Sequence, residues 1–275
     1  MIYVYAIAQD SPALSLVEWP EGVVPGIPVE LVRTPTGVVA ITSTVPEGFA
    51  GPDSPAAADP VWLAARAVAH HEVICAGHEA TTVLPLRWGT VFSGLPALQA
   101  MLFAQRGEWP MALQRVAGCA EVEVSLETDW ETFRQTRLTA ALPAWAMLPA
   151  GRRYLAERQF ERRLQDQWPS IQAQAWSKFE ELARAKNRIE EVAIRPNGRR
   201  AFLIKKPCKA FGDFVETLSV MDDLHFAISG VWPPYSFAVA IPPMVVPDGG
   251  MPPSASPAEA AVAHPDAGQR CSATA

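Results

Sequence analysis

The chain opens on an apolar run, Met1-Ile-Tyr-Val-Tyr-Ala-Ile-Ala8, which is β-branched and aromatic through residues 2–8 and reads as a buried strand. Residues 9–27 interrupt it with prolines and glycines and read as loop. Two β-rich runs, 28–34 and 38–45, flank the turn Pro35-Thr36-Gly37 and predict a hairpin. Residues 46–59 are rich in Pro, Gly, Ala and Asp and read as a flexible loop. From 60 to about 77 the period turns helical. Val61, Leu63, Ala64, Ala67, Val68, His71 and Ile74-Cys75 recur at threes and fours, Asp59 and Pro60 suit the N-cap and first turn, and Gly77 is the expected stop. Residues 81–89 read as a strand that Pro85 confines to an edge or a bulge. Helices over 93–105 and 109–117 complete a first α+β domain, 1–118.

A second domain, 119–242, begins with residues 120–127, whose strict alternation predicts a half-buried strand. Residues 130–150 have no single period, and Pro143 and Pro149 exclude one unbroken helix there. Between 152 and 190 the apolar positions Phe160, Leu164, Trp168, Ile171, Ala175, Phe179, Leu182 and Ile189 step by fours and threes as a narrow, coiled-coil-like seam. Pro169 is expected to kink or split this long helix into two segments. Runs 191–195 and 199–205 flank Pro196-Asn197-Gly198 and predict a second hairpin. A helix over 208–221 turns Phe211, Phe214, Val215 and Leu218 inward, and a strand over 224–230 follows. The order is β-α-β-β-α-β, a ferredoxin-like arrangement carrying a long helical segment. Residues 243–275 are rich in Pro, Ala, Gly and Ser and read as a disordered tail.

Two stretches carry more information than periodicity. In Gly230-Val231-Trp232-Pro233-Pro234-Tyr235-Ser236-Phe237, neither Pro233 nor Pro234 can donate to a ladder, so the strand should stop at a stiff, polyproline-like exit. Trp232, Tyr235 and Phe237 then either cap the core or offer a rigid aromatic surface to a partner. In Leu84-Pro-Leu-Arg-Trp-Gly-Thr-Val-Phe92, Arg87 sits in an apolar strand and must either pair with a carboxylate or carbonyls, or stand at a surface. Gly89 beside Trp88 indicates positive φ or close backbone approach.

Composition narrows the function classes. At 275 residues and 49% hydrophobic content a substantial core is available, and a net charge of −6 argues against nucleic acid as the main partner. Cys75, Cys119, Cys208 and Cys271 are widely spaced, as expected of reduced thiols in a cytoplasmic protein. Neither a signal peptide nor a run of about 18 apolar residues that could cross a lipid membrane is expected. His71 and Cys75 stand at i, i+4 in a run resembling H-E-x-x-H, but the second histidine is replaced by Cys75, so a zinc hydrolase lacks a ligand and His71 reads better as a core histidine. Cys119 reads as a small buried hydrophobe. An acylphosphatase-type loop would not be acidic, as 126–129 is. No catalytic residue, metal or cofactor is therefore assigned.

Three ordered motifs, residues 84–92, Gly151-Arg152-Arg153-Tyr154-Leu155 and the octet 230–237, resemble the gas vesicle protein F/L (GvpL/GvpF) family. There they commonly read L-P-L-R-F-G-T, G-R-x-Y-L and G-P-W-P-P-Y-S-F, and Tyr3-Val-Tyr-Ala-Ile7 and His70-His71 are also similar. The resemblance covers about residues 1–240; Trp88 replaces Phe, Val231 replaces Pro, and the tail is additional. It implies two α+β domains, the second a modified ferredoxin fold, in a non-enzymatic accessory or minor structural protein of gas vesicle assembly. Its implied partners are the small hydrophobic shell protein and other accessory proteins. Arg87, Trp88, Gly89, Tyr154, Phe160, Leu164, Trp232, Pro233, Pro234, Tyr235 and Phe237 are the residues expected to bind partners or carry the structural signature. The alternative is a regulatory module binding a small ligand on a ferredoxin-like fold.

Overall fold

The computed structural model describes residues 1–49, 59–195, 198–218 and 224–238. The Pro196-Asn197 step of the second hairpin turn, most of the 46–59 loop and the 243–275 tail lie outside the described residues. The chain is mixed helix and sheet, with two antiparallel sheets held in separate compact units, Met1–Arg115 and Val116–Phe237.

The first unit is built on β1 (Ile2–Gln9), whose residues from Tyr3 to Ala8 are completely buried. The hairpin of β2 (Glu30–Arg33) and β3 (Val38–Thr44) pairs with one edge of β1, giving the order β2-β3-β1-β4 with β4 (Val83–Pro85) on the other side. Gly37 takes the positive φ of +75° that the hairpin turn requires. Pro85 ends an edge strand, where its missing N–H costs no ladder bond. A two-residue strand, β5 (Val91–Phe92), also pairs with β1; nothing so short is visible in a sequence period. Helix α1 (Pro60–Ala80) starts where expected, with the Asp59 carboxylate accepting from the N–H groups of Val61 and Trp62. It runs three residues past Gly77, where a Cβ would lie 2.8 Å from Ile41 Cδ1, so this glycine serves packing rather than termination. The buried face is also rotated from the expected stripe: His70, Val73, Ile74, Cys75 and Gly77 are buried, and His71 is only partly so. Helices α2 (Leu95–Ala104) and α3 (Glu108–Val116) follow.

The second unit has a sheet of order β7-β8-β6-β9, every pair antiparallel, from β6 (Cys119–Glu127), β7 (Glu191–Ile194), β8 (Arg200–Lys205) and β9 (His225–Trp232). The first part of the ambiguous 130–150 stretch forms α4 (Trp130–Ala141), started by Asp129, which accepts from the N–H groups of Glu131 and Thr132. The acid that reads as hostile to phosphate is thus a helix cap. Helix α5 (Ala150–Ala185) is one continuous element, not two. Pro169 lies on its exposed side, and so does Gln165, whose carbonyl loses its helical donor there and can be hydrated instead. Helix α6 (Lys209–Thr217) buries Phe211, Phe214 and Val215 as expected.

The apolar seam of α5 finds its partner inside the chain. Leu164, Ala175 and Phe179 join Val122 and Val124 of β6 and the α6 phenylalanines in one core, with Phe160, Trp168, Ile171 and Leu182 packed against it. Trp168 meets Trp130 and Phe133 of α4 edge-on at centroid separations of 5.4 Å, which fixes α4 along α5.

Candidate functional site

The motif at 84–92 closes a buried hydrogen-bond chain in the first unit. Tyr3, brought in by β1, lies 2.9 Å from His70 Nδ1, while His70 Nε2 is 3.2 Å from the Leu86 carbonyl. A carbonyl can only accept, so His70 carries its proton on Nε2, donates to Leu86, and accepts from the Tyr3 hydroxyl through Nδ1. The Tyr3 oxygen in turn accepts from the Gly89 N–H at 3.2 Å. Gly89 has φ +82°, the left-handed backbone expected of it. Every polar group of the chain is satisfied only while His70 is neutral. Burial pushes the His70 pKa down to about 4 and the Tyr3 pKa well up, so neither ionises near neutrality.

Around this chain stands an aromatic group. Trp62 lies 5.4 Å from Phe49 and 6.4 Å from Trp88, and the Arg66 guanidinium stacks over Trp62 at 5.9 Å. A cleft of about 290 Å³ opens here between Val23, Pro46, Phe49, Trp62 and Arg66. Arg87 does not pair inside a strand: it lies beyond β4, its carbonyl accepts from Thr90, and its side chain is exposed.

The octet behaves differently from a simple strand stop. Strand β9 continues through Trp232, and the β6–β9 register shifts by one residue, since Glu123 pairs with Ser229 whereas Glu121 pairs with Trp232. This bulge is centred on Gly230, at φ +62°, with the Trp232 ring folded back over it and its Nε1 donating to the Ser229 carbonyl at 3.2 Å. One extra residue changes which side chain faces which side. Trp232 therefore lies on the face of Glu121, and Val231 packs on the core. Pro233 and Pro234 are buried and lead into a single 3-10 turn, Tyr235–Phe237, rather than a polyproline exit. Phe237 is buried, while Trp232 and Tyr235 are half-buried.

That turn presents Ser236 to a residue that sequence pattern assigns to solvent. Glu121 is 2% exposed, and its carboxylate accepts from the Ser236 N–H at 2.6 Å and the Ser236 hydroxyl at 2.7 Å. Arg195 reaches the same carboxylate at 3.4 Å, and Arg199 reaches the neighbouring Glu123, 8% exposed, at 2.8 Å. Strand β6 is thus buried on both faces, because arginines of the β7–β8 segment and the octet's serine neutralise its glutamates. Burial pushes the Glu121 pKa up, opposed by the Ser236 bonds and Arg195. Ser236→Ala removes one bond to this carboxylate and is expected to destabilise the unit by about 2 kcal/mol in urea denaturation.

The third motif has no such internal role. Gly151, Arg152, Tyr154 and Leu155 occupy the first turns of α5 and are exposed, Tyr154 at 56% and Leu155 at 58%. Phe160 and Leu164, one and two turns further on, belong to the core. Of the sequence-selected residues, Arg87, Trp88 and Gly89 belong to the first unit, and within the second unit Tyr154 is exposed at the start of α5 whereas the octet is tied to β6.

A family model described as Gas vesicle synthesis protein GvpL/GvpF matches residues 1–239. The chain belongs to the GvpL/GvpF family. Gas vesicle protein L of Streptomyces sp. (strain CB03234) is 29% identical to it over 256 residues, covering 86% of this chain and 92% of that protein. The fold is that of solved GvpF structures. GvpF from Anabaena sp. PCC7120 superposes with a TM-score of 0.62 at 19% identity, over 87% of this chain and 98% of that one. GvpF from Microcystis aeruginosa gives 0.55 at 18%, over 87% and 99%. Membership of GvpL/GvpF associates the chain with gas vesicle formation. Among the described residues no three His, Cys, Asp or Glu side chains group as a metal site, and no helix is long and apolar enough to cross a membrane.

The buried histidine yields a pH prediction for this GvpL/GvpF chain. A group whose folded pKa is lowered binds its proton more readily when unfolded, so the stability it confers is present above its ordinary value of 6.5 and is lost as pH falls toward 4. The first unit should lose about 3 kcal/mol from this group between pH 7 and pH 4. Glu121, with a raised pKa, acts in the opposite sense: its contribution is full below 4.5 and declines as pH rises through the folded value. Amide hydrogen exchange should therefore show β1 losing protection in mild acid before β6 does.

Proposed function

We propose that this chain is a non-enzymatic accessory or minor structural protein of gas vesicle assembly, working in the cytoplasm on the forming vesicle. It binds the small hydrophobic shell protein and other accessory proteins of the same system. Family membership across residues 1–239 is the observation that carries this reading. Enzyme chemistry is not needed to account for the motifs: two of them are occupied in holding their own units together, through Tyr3–His70–Gly89 and through Glu121–Ser236. The strand order β7-β8-β6-β9 also supports reading 119–242 as a modified ferredoxin-like domain beside an N-terminal domain of 1–118.

A strongly apolar shell subunit exposes surface that aggregates before it can polymerise, and a folded partner could shield it or seed the shell. The reading is tested by co-expressing the tagged full-length chain with the shell subunit and measuring whether the subunit co-purifies in soluble form. Soluble, stoichiometric co-purification is expected; a shell subunit that remains wholly insoluble, with the tagged chain folded and alone, would remove shell binding from the account.

A further inference from the structure

We propose that the first turns of α5 form a docking surface for an acidic helix with an apolar stripe, carried by a protein partner. The proposal deepens the reading that the chain works through protein contacts and rests on it. Its starting observation is a division of labour within one helix. From Phe160 onward, α5 gives its apolar side chains to the unit's own core. Before Phe160 it gives them to solvent: Tyr154 is 56% and Leu155 58% exposed, and Met147, in the 3-10 turn just before the helix, is 88% exposed. Core packing explains none of the three. Single exposed apolar residues are ordinary, but Tyr154 and Leu155 stand exposed side by side on the first turns of the helix, a few residues after an exposed methionine, and apolar surface of this kind marks contact sites.

Charge states what the patch would accept. Residues 152–163 carry five arginines (Arg152, Arg153, Arg158, Arg162, Arg163) against two glutamates, Glu157 and Glu161, in a chain whose net charge is −6. The Arg158 guanidinium stacks on the Tyr154 ring at 5.5 Å and pairs with Glu161 at 3.3 Å, so it is held beside the apolar residues rather than waving free. Arg153 lies 6.0 Å over the Trp145 ring, which ties the preceding turn to the start of the helix. Tyrosine and arginine arranged around a leucine are the residue types that dominate interface energies. Tyr154, Arg158 and Arg162 follow helical i, i+4 spacing and Leu155 joins them at i+3 and i+7, so the surface they form is a ridge that a second helix can pack along. Its arginines demand carboxylates on the flanks of that helix. The interleaved Glu157 and Glu161 weigh against a polyanion or an anionic lipid surface, which they would repel, and are neutral toward a helix that mixes signs at its edges.

The test uses the full-length chain and a fluorescein-labelled synthetic helix of about 18 residues, with leucines at i, i+3, i+4 and i+7 and glutamates on the flanks. Anisotropy titrations are run at low and high salt against the wild type, Tyr154→Ser/Leu155→Ser and Arg152→Glu/Arg158→Glu. All four positions are exposed or at the surface of the first turns, so the variants should melt as the wild type does, which is checked first. Saturable binding of the glutamate peptide, weakened about tenfold or more by each double variant and by high salt, is expected. The proposal is overturned by no binding, by equal binding of the variants, or by equal binding of a lysine-flanked peptide. It is equally overturned if polyuridylate or phosphatidylglycerol vesicles bind through these residues in place of the acidic helix. Because the probe contains no gas vesicle protein, failure here leaves the shell co-purification result standing, and the converse.

Discussion

Gly230→Ala is expected to destabilise the Val116–Phe237 unit by about 4 kcal/mol, the largest effect of a methyl group added at any of the described glycines. Two costs combine. Gly230 sits at φ +62°, a left-handed conformation that costs an L-residue roughly 1–2 kcal/mol. A Cβ there would also lie 1.8 Å from Trp232 Cε2 and 2.2 Å from its Nε1, so the indole must leave its position. Its departure gives up the bond to the Ser229 carbonyl and the packing of a large ring, worth about 2–3 kcal/mol more. Gly118→Ala separates the two costs, because Gly118 has φ +67° but nothing within 4 Å of a Cβ. That variant should lose about 1 kcal/mol. Urea denaturation followed by near-UV circular dichroism compares them; equal losses in the two variants would show that Trp232 is not clamped over the bulge.

In the first unit, Tyr3→Phe should cost about 3 kcal/mol although it deletes one oxygen. That oxygen accepts from the part-buried Gly89 N–H and donates to the buried His70 Nδ1. His70 Nδ1 has no water to turn to, and a buried polar atom left unsatisfied costs roughly 1–3 kcal/mol in addition to the lost bond. Thermal unfolding monitored on the first unit measures the loss. The same variant should keep the acid sensitivity of the wild type, since His70 remains buried and is still penalised for charging. A Tyr3→Phe protein that melts within 1 kcal/mol of the wild type would mean that the Tyr3–His70 chain is incidental to the fold.

Much of the architecture is legible in the residue pattern because it is set by local chemistry. Asp59-Pro60 starts α1, Pro85 marks an edge, and the phenylalanines of α6 point inward. The seam from Phe160 to Phe179 is read correctly as apolar, but a seam alone does not say whether its partner is another chain or the helix's own sheet. What escapes the pattern depends on residues far apart. Glu121 and Ser236 are separated by 115 positions, and binary patterning sends a glutamate between valines to solvent. Only the bulge at Gly230, itself signalled by a glycine inside a strand, brings the serine to it. Likewise His71 fits the apolar stripe of α1 better than His70. Yet Tyr3 and the Leu86 carbonyl offer His70 both hydrogen bonds, and one residue of helix rotation follows from that. In the octet the prolines read as a stop, whereas the serine beside them makes the contact that matters.

Two of the three family motifs are thus absorbed by the fold, and the third stands on the surface. The reading of this chain as a factor in gas vesicle assembly is tested most directly in the cell. The gene is deleted, then restored either as the wild type or as Tyr154→Ser/Leu155→Ser, and vesicles are counted by electron microscopy of cells with equal protein levels. Absence or severe loss of vesicles on deletion, with recovery by the wild type, is the predicted result. A deletion strain that makes vesicles in normal number and shape would contradict it.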